Sequence, residues 1–454
     1  MTIAQQLAAH VAGATYNALP AAAVRAAKTS LLDTLAVSVA ARNAPGVTEV
    51  FSLAFTDGGR PASSLWTRGE RVPPRAAAFA NSFLASALDF DSLHQEGVAH
   101  ADIVIVPSAV ATGEDIRSTG RELVTAIALG DDVLCRLCRS TRGNTGWFYT
   151  SLYGPVASAA TVASLLGGGA NAIEAAMGIG SMSASGTQQP AVERSMGKRM
   201  QGALAASAGV AAGYLGVKGL DGPHDFVEGR YGLYAMCEKG DAGAITRDLG
   251  TVYENGRIGY KLYPSCQCNH AAIEGMLQLK AKHGLSDKNV KAVEVAVSSY
   301  MHRLVGAAFD PGVNPQVAAQ FSIQYSIAAV LLHGRLSVEE ISAASAVEPG
   351  IREITRRVSV VIDPENRNNY APARLKIIKT DGTVIEHTVA TYRGSEELPL
   401  GNSDMKEKLA ACIEAAGAPA GAAKVEGLFD AVMNIEDTRD IALFTSHFIG
   451  RCLA

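Results

Sequence analysis

Over its first 260 residues the sequence keeps a helical period and shows almost no strand alternation. Residues 20–42 place apolar side chains at helical spacing behind an opening proline. Residues 202–217, GALAASAGVAAGYLGV, consist almost entirely of small side chains, which let a helix backbone approach its neighbours closely. This part of the chain is therefore expected to form a set of tightly packed helices.

A different pattern begins near residue 290. The segments 290–299, 357–363 and 373–391 alternate apolar and polar residues as half-buried strands do, and Asp381-Gly382 sits between two alternating runs as a hairpin turn. Helical stretches, 269–284 and 316–334, lie between the strands. This region is predicted to be an α+β domain. Residues from about 400 onward are helical again and can return to the first domain.

Bulk composition limits the class of protein. A chain of 454 residues is too long for one ordinary core, so two domains are expected. The net charge of −4 provides no field for polyanions, which argues against nucleic acid as a partner. The N-terminus lacks a signal-peptide pattern, and the uncharged run 143–173 is interrupted by Pro155 and three consecutive glycines, so no membrane span is predicted. Seven cysteines, an odd number, favour reduced thiols and a cytoplasmic location.

Three short stretches concentrate reactive side chains. Residues 87–110 carry acidic and imidazole groups between two apolar runs, which indicates a functional loop that enters a buried region. Residues 193–202, ERSMGKRMQG, put Lys198 and Arg199 at the start of the small-residue helix, where cations oppose the helix dipole and an anionic ligand would offset the cost. A solvated basic turn is the alternative. The third stretch, 260–270, reads YKLYPSCQCNH.

Cysteine pairs raise the question of a metal site. CRLC at 135–138 fits a helix whose cysteines pack in the core, and the CQC at 266–268 is poor zinc spacing. A thiol nucleophile at Cys266 or Cys268 remains an alternative, because Lys261 and His270 are close in sequence. The sequence contains no HExxH, GxGxxG, Walker A or GxSxG motif, so neither a metal nor a nucleotide cofactor is predicted.

Together the three stretches resemble motifs of the MmgE/PrpD family, which includes 2-methylcitrate dehydratase, cis-aconitate decarboxylase and iminodisuccinate epimerase. The family patterns DFDDTH…HPS, K-R-x-H-x-G-x-A-A and K-x-YPSC…TH correspond here to DFDSLHQEGVAHAD, KRMQGALAA and KLYPSCQCNH. Further similarities follow in order at 318–334 and 394–409, so the resemblance covers nearly the whole chain.

The resemblance implies a mostly α fold with two parts. A large all-helical domain would be formed by both chain ends, residues 1–265 and 400–454. A smaller inserted α/β domain would span residues 266–399. Members are usually homodimers with the active site between the domains, and they act without a metal or organic cofactor on di- and tricarboxylic acids.

The resemblance also implies roles for individual residues. Abstraction of a proton α to a carboxylate builds negative charge that needs cationic donors, and an imidazole titrates near neutrality. The expected catalytic residues are His100, Lys198, Lys261, Tyr149 and Asp89. The expected substrate-binding residues are His94, Asp91, Arg199, Tyr153 and His270.

Departures from the family patterns bear on the reaction. Ala101, Ser92, Gln201 and Phe148 stand where the family commonly has proline, aspartate, histidine and histidine. Dehydration needs an acid for the departing hydroxyl, whereas epimerisation needs only two bases on opposite faces of one carbon. These changes favour an isomerase that epimerises an iminodisuccinate-like substrate. A dehydratase of 2-methylcitrate-like acids, a cis-aconitate-type decarboxylase and a non-catalytic carboxylate-binding relative are the alternatives.

Overall fold

The computed structural model describes residues 1–143 and 145–454 and has a mostly helical fold. The expected helical character of the first 260 residues is confirmed. Helices of this part are α1 (Ile3–Gly13), α2 (Ala21–Ala40), α3 (Val47–Thr56), α4 (Pro74–Ser86), α5 (Asp102–Ile116), α6 (Gly120–Arg139), α7 (Tyr149–Leu165), α8 (Ala170–Ser181), α9 (Gln189–Val192), α10 (Gly197–Val217), α11 (Leu233–Met236) and α12 (Ala242–Thr246).

Short strands also occur in this part of the chain. β1 (Ser63–Ser64) pairs with β2 (Arg71–Val72), and β3 (Leu93–His94) pairs with β4 (Ile258–Gly259), both antiparallel. The second pair connects the loop after α4 to the segment that carries Lys261.

Small residues allow α10 to pack closely on α7, α4 and α8, as their abundance predicted. A Cβ atom added at Gly209 would lie 2.2 Å from the Cβ of Ser158 on α7, so the two backbones approach too closely for any larger residue. The N-terminus of α6 is closed by a capping box, in which Thr119 and Glu122 each bond the other's backbone N–H. Packing and capping thus fix the helices that carry the site.

The second part of the chain contains the α/β region. Its strands are β5 (Val290–Val297), β6 (Val358–Ile362), β7 (Ala373–Lys379) and β8 (Val384–Val389), in the order β6-β5-β7-β8. β5 and β6 are parallel, and the β5–β7 and β7–β8 pairs are antiparallel. The three predicted strand segments and the Asp381-Gly382 hairpin are confirmed. Helices of this region are α13 (His270–His283), α14 (Ser299–Val305), α15 (Pro315–Gln320), α16 (Ile323–His333), α17 (Ala343–Ala346) and α18 (Pro349–Thr355).

The stretch 316–334 differs from the single predicted helix. It forms two helices, α15 and α16, because Ser322 adopts an extended conformation (φ −145°, ψ 118°) and its hydroxyl accepts a hydrogen bond from the N–H of Tyr325. A serine in this role caps a new helix start rather than continuing the old one. The break brings Phe321 to the candidate site.

The C-terminal helices are α19 (Asn402–Ala415), α20 (Ala422–Met433) and α21 (Ile441–Leu453). α19 packs on α2, and the Lys408 Nζ lies 2.5 Å from the Asp33 Oδ1 with both side chains buried. The last segment of the chain thus contacts the helices of the first. Among the described residues, every helix is too short or too polar to cross a membrane.

Candidate active site

The loop between α4 and α5 carries most of the candidate site. The predicted burial of this acidic and imidazole-bearing segment is confirmed for Asp89, Asp91, His94, His100 and Asp102, whereas Glu96 is exposed. Asp89 has a φ of +50°, in the left-handed region that few residues other than glycine adopt. Asp89 lies three residues after the end of α4, and the chain turns into the interior after it.

Lys198 comes from the first turn of α10. Its ammonium forms an ion pair with Asp89 and lies 5.0 Å from the centre of the Phe321 ring. Burial lowers the pKa of Lys198, but the charges of Asp89 and Asp91 outweigh that effect and raise it above its ordinary value. The alternative of a solvated basic turn is wrong for Lys198 and Arg199, because the protein's own carboxylate supplies the anion near this helix start.

Lys261 follows β4 and is 1% exposed. Its Nζ donates to the backbone oxygen of Asp89 at 2.9 Å and lies 3.5 Å from the Asp89 Oδ1 and 3.8 Å from the Asp91 Oδ1. Burial raises the pKa of Asp89, but Lys198 and Lys261 outweigh that effect and hold it far below its ordinary value. Asp89 is therefore a carboxylate between two ammonium groups.

His100 and Asp91 form a second pair. The His100 Nδ1 lies 2.6 Å from the Asp91 Oδ2 and 3.1 Å from the backbone oxygen of Ser92. Both partners accept, so Nδ1 carries the proton and Nε2 keeps its lone pair. Burial lowers the pKa of His100, with Asp91 opposing that effect, so the imidazole is neutral at pH 7. A neutral imidazole held in one tautomer is suited to act as a general base.

The two lysines, Asp89 and His100 line one small cavity of 40 Å³, which we call the inner cavity, whereas Asp91 is not among its lining residues. Asp89, His100, Lys198 and Lys261 reach it from the helical part of the chain. Its remaining lining residues are Leu93, Val98, Phe148, Gln188, Ala191, Cys266, Gln267, Cys268, Tyr300, Leu304, Phe321 and Tyr370. Side chains from both parts of the chain thus enclose the lysines and His100.

A second cavity of 680 Å³, the outer cavity, adjoins the inner one. Val98, Gln188, Tyr300 and Leu304 line both. Tyr149, a predicted catalytic residue, lines the outer cavity rather than the inner one. Its hydroxyl donates to the backbone oxygen of Gly143, and burial raises the pKa of Tyr149 to about 12.

Two predicted substrate-binding residues lie outside both cavities. The His94 Nδ1 accepts a hydrogen bond from the N–H of Gly97 at 3.0 Å, and its Nε2 lies 3.3 Å from the Glu254 Oε2. Arg199 is buried and donates to the backbone oxygen of Pro45 and to Gln316. Because these polar atoms are already engaged within the protein, both placements differ from the expectation of substrate contact.

Tyr153 and His270 also lie outside both cavities. The Tyr153 hydroxyl is 2.8 Å from the Thr141 Oγ1, and the side chain is fully buried. His270 begins α13 between the rings of Tyr263 and Tyr392, and burial lowers its pKa to about 3. A neutral imidazole packed between aromatic rings suits the core better than an anionic ligand.

The cysteines occupy two kinds of position. Cys135 and Cys138 are buried in α6, as the packing interpretation of CRLC predicted. Cys266 and Cys268 both line the inner cavity. Over residues 1–143 and 145–454, no group of three or more His, Cys, Asp or Glu side chains is placed to hold a metal ion.

Other residues at the site were missed by the sequence interpretation. The Thr150 Oγ1 accepts a hydrogen bond from the backbone N–H of His100 at 2.9 Å. Thr150 lies two positions after Phe148, whose ring centre is 5.9 Å from that of His100. The sequence had already marked Phe148 as a departure from the family pattern, and this proximity was the one signal that could have identified Thr150. Tyr300 and Tyr370 meet edge to face at 6.0 Å, and no short-range pattern connects either to the distant motifs.

Comparison with known families is consistent with the motifs. The MmgE/PrpD N-terminal domain matches residues 5–244, and the MmgE/PrpD C-terminal domain matches residues 263–433. His100 and Lys198 fall within the first range, and Lys261 lies two residues before the second.

Curated relatives include two kinds of enzyme. Cis-aconitate decarboxylase of Aspergillus terreus (strain NIH 2624 / FGSC A1156) is 24% identical over 400 residues, covering 82% of this chain and 81% of the relative. Cis-aconitate decarboxylase of Homo sapiens is 22% identical over 468 residues, covering 99% and 95%. The 2-methylcitrate dehydratase of Cupriavidus necator is 27% identical over 186 residues, covering 37% and 38%.

Proposed function

The chain belongs to the MmgE/PrpD family, and we propose that it is a lyase that transfers a proton at the carbon next to a carboxylate of a small polycarboxylic acid. The observation that carries this proposal is the inner cavity, where the His100–Asp91 pair meets Lys198, Lys261 and Asp89. The relatives named above, a decarboxylase and a dehydratase, are both lyases, which supports the reaction class.

His100 supplies the base in this proposal. Its Nε2 lone pair takes the proton from the α carbon, and Asp91 stabilises the resulting imidazolium through Nδ1–H. The electron pair left on carbon delocalises into the adjacent carboxylate, where negative charge builds up. Lys198 and Lys261 lie where two ammonium groups can stabilise that charge in a buried cavity.

Collapse of this intermediate completes the elimination. The electron pair forms a carbon–carbon double bond as the β substituent leaves, and a departing hydroxyl takes a proton from the His100 imidazolium or the Lys198 ammonium. For a decarboxylase the order is reversed: carbon dioxide leaves, its bonding electron pair stays on the carbon, and the Lys198 ammonium protonates the resulting carbanion. The Asp89 Oδ2, which is buried without a hydrogen-bond partner among the described residues, is available to accept a hydrogen bond from the substrate.

Epimerisation of an iminodisuccinate-like acid is the second candidate. Phe148 stands against His100 in the inner cavity, where the family commonly has a histidine, so a second imidazole for the leaving group is missing at this position. An epimerase would return the proton to the opposite face of the same carbon, with a lysine as the second acid. No β substituent would leave.

Proton NMR in D2O tests the proposal. The protein is incubated with 2-methylcitrate, cis-aconitate, citrate and iminodisuccinate, and products are followed with time. A lyase forms an alkene or releases carbon dioxide, whereas an epimerase incorporates deuterium with no loss of atoms. If wild-type protein neither exchanges nor consumes any of these acids, the proposed function is wrong.

Two variants connect the reaction to the site. Lys198→Ala is expected to lower kcat by about 100- to 1,000-fold, because it removes one of two cations at the developing charge. His224→Gln is the control, since His224 is exposed and contacts Glu174 on another face. Equal activity in Lys198→Ala and wild type would contradict the assigned role.

A further inference from the structure

The outer cavity has the volume expected for a ligand site, while the inner cavity does not. Small-molecule sites usually occupy about 300–1,000 Å³. The outer cavity measures 680 Å³ and the inner one 40 Å³. A polycarboxylic acid that reacts at His100 therefore has room in the inner cavity for its reacting end only, and its remaining groups extend past Tyr300 and Leu304.

Three charged side chains line the outer cavity, and two of them are already paired. The Glu96 Oε2 lies 2.6 Å from the Arg257 Nη1. The Arg142 Nη2 lies 2.6 Å from the Asp241 Oδ2. Arg303, the third, has no carboxylate within ion-pair distance among residues 1–143 and 145–454. Its charge is the one at this cavity that remains without a counter-charge.

Arg303 is held towards the passage between the two cavities. It lies on α14, one helical turn after Tyr300, and its guanidinium carbon is 5.4 Å from the centre of the Tyr300 ring. Tyr300 lines both cavities, and so does Leu304, the residue after Arg303. Stacking on an aromatic ring orients a guanidinium and leaves its N–H groups free to bind a carboxylate.

The cations of the inner cavity are too few to pair with all the carboxylates of a polycarboxylic acid. Lys198 and Lys261 are already balanced by Asp89 and Asp91. A second substrate carboxylate therefore requires a further cation, and a guanidinium matches the planar geometry of a carboxylate.

We propose that Arg303 binds a carboxylate of the substrate remote from the reacting carbon. This inference rests on the proposed function. It assigns the outer cavity to recognition and the inner cavity to chemistry. Arg303 would then select polycarboxylates over monocarboxylates of similar size.

Steady-state kinetics of Arg303→Gln on the acid turned over by wild type test this inference. KM is expected to rise about 10- to 100-fold, because the bidentate, charge-assisted hydrogen bonds between the guanidinium and the carboxylate are lost. The value of kcat should stay within about threefold. Arg352→Gln is the control, since Arg352 is an exposed arginine of the same α/β region that lines neither cavity, and KM should stay within about twofold. An unchanged KM in Arg303→Gln would overturn the inference.

A substrate change isolates the contact. The remote carboxylate is converted to its methyl ester, which should raise the wild-type KM and make KM insensitive to Arg303→Gln. If Arg303→Gln changes KM by the same factor for the ester and for the acid, Arg303 does not bind that carboxylate.

Binding measurements separate this inference from the proposed function. Calorimetric titration with the same polycarboxylates gives Kd without any turnover. If wild type binds an acid and Arg303→Gln binds it more weakly, the proposed role of Arg303 is supported even if no acid reacts. In that case only the proposed function fails. If the variant turns over the acid with unchanged Kd and KM, only the proposed role of Arg303 is overturned. If the wild type neither binds nor turns over any of these acids, the role of Arg303 and the proposed function are both overturned.

Discussion

At the scale of single residues, the charged groups of the site determine one another's protonation states. Asp89 remains ionised because two ammonium groups flank it, and Lys198 remains protonated because two carboxylates are near. His100 stays neutral because burial outweighs the attraction of Asp91. A base, two cations and a carboxylate are thus present together near pH 7.

Asp91→Asn tests the role of Asp91 in orienting and tuning His100. The wild type needs neutral His100, so its activity falls as the pH drops through the His100 pKa, which burial places below its ordinary value. The Asp91 charge raises that pKa, so its removal moves the acidic limb to still lower pH. At pH 8 the variant should lose about 10- to 100-fold in kcat, because the asparagine no longer fixes the tautomer.

The pH dependence of kcat/KM for wild type and variant is the measurement. Glu174→Gln, which alters a carboxylate beside the exposed His224, is the control and should keep the wild-type profile. A limb that stays in place or moves to higher pH would show that Asp91 does not act through His100.

At the scale of elements, two features place Lys261 and Lys198 together. α10 starts next to Asp89, so its first turn delivers Lys198 to the loop after α4. β4 pairs with β3, which aligns the segment before Lys261 with that same loop. The connection 390–401 packs over β4 with little clearance, since a Cβ on Gly394 would lie 2.0 Å from the backbone oxygen of Tyr260.

Gly394→Ala and Gly382→Ala form a matched pair that separates backbone strain from close packing. Both glycines have nearly the same positive φ, +88° and +87°, but Gly382 has no atom within 4 Å of its added Cβ. Gly382→Ala should cost about 1–2 kcal/mol of unfolding free energy, the cost of the left-handed conformation. Gly394→Ala should cost about 3 kcal/mol or more and lower kcat, since Tyr260 precedes Lys261.

Urea denaturation of both variants, with kcat measured under native conditions, checks this expectation. Equal destabilisation of the two variants would mean that the contact with Tyr260 contributes nothing beyond the backbone strain.

At the scale of the whole molecule, a buried ion pair joins the two ends of the chain. Lys408 of α19 reaches Asp33 of α2, and its Nζ also donates to the backbone oxygen of Phe90 at 2.9 Å. Phe90 lies between Asp89 and Asp91, so α19 contacts the site loop directly. Folding of the C-terminal segment is therefore expected to influence the geometry of the inner cavity.

Lys408→Met should lower the unfolding free energy by about 3–5 kcal/mol, because it leaves Asp33 buried without its partner. The double variant Asp33→Asn/Lys408→Met should be destabilised by less than the sum of the single changes. Lys406→Met on the same helix removes an exposed pair with Glu426 and should cost at most about 1 kcal/mol. Strict additivity in chemical denaturation would show that Asp33 and Lys408 do not interact.

The sequence by itself determined the parts of this protein that depend on local pattern. Helical spacing and small residues predicted the packing of α10, alternation predicted β5 to β8, and the motif order identified the family. The motifs also marked Asp89, His100, Lys198 and Lys261, because lysines and carboxylates crowded between apolar runs are costly without a function.

The tertiary structure decided which of the marked side chains share a cavity. His94, Arg199 and His270 belong to the same motifs as the cavity residues, yet the side chain of each packs against or bonds to other parts of the protein. Tyr300 and Arg303 reach the cavities from the α/β region without any motif. Spacing along the chain fixes which residues are neighbours in one element, but the direction of each side chain depends on contacts between elements far apart in sequence.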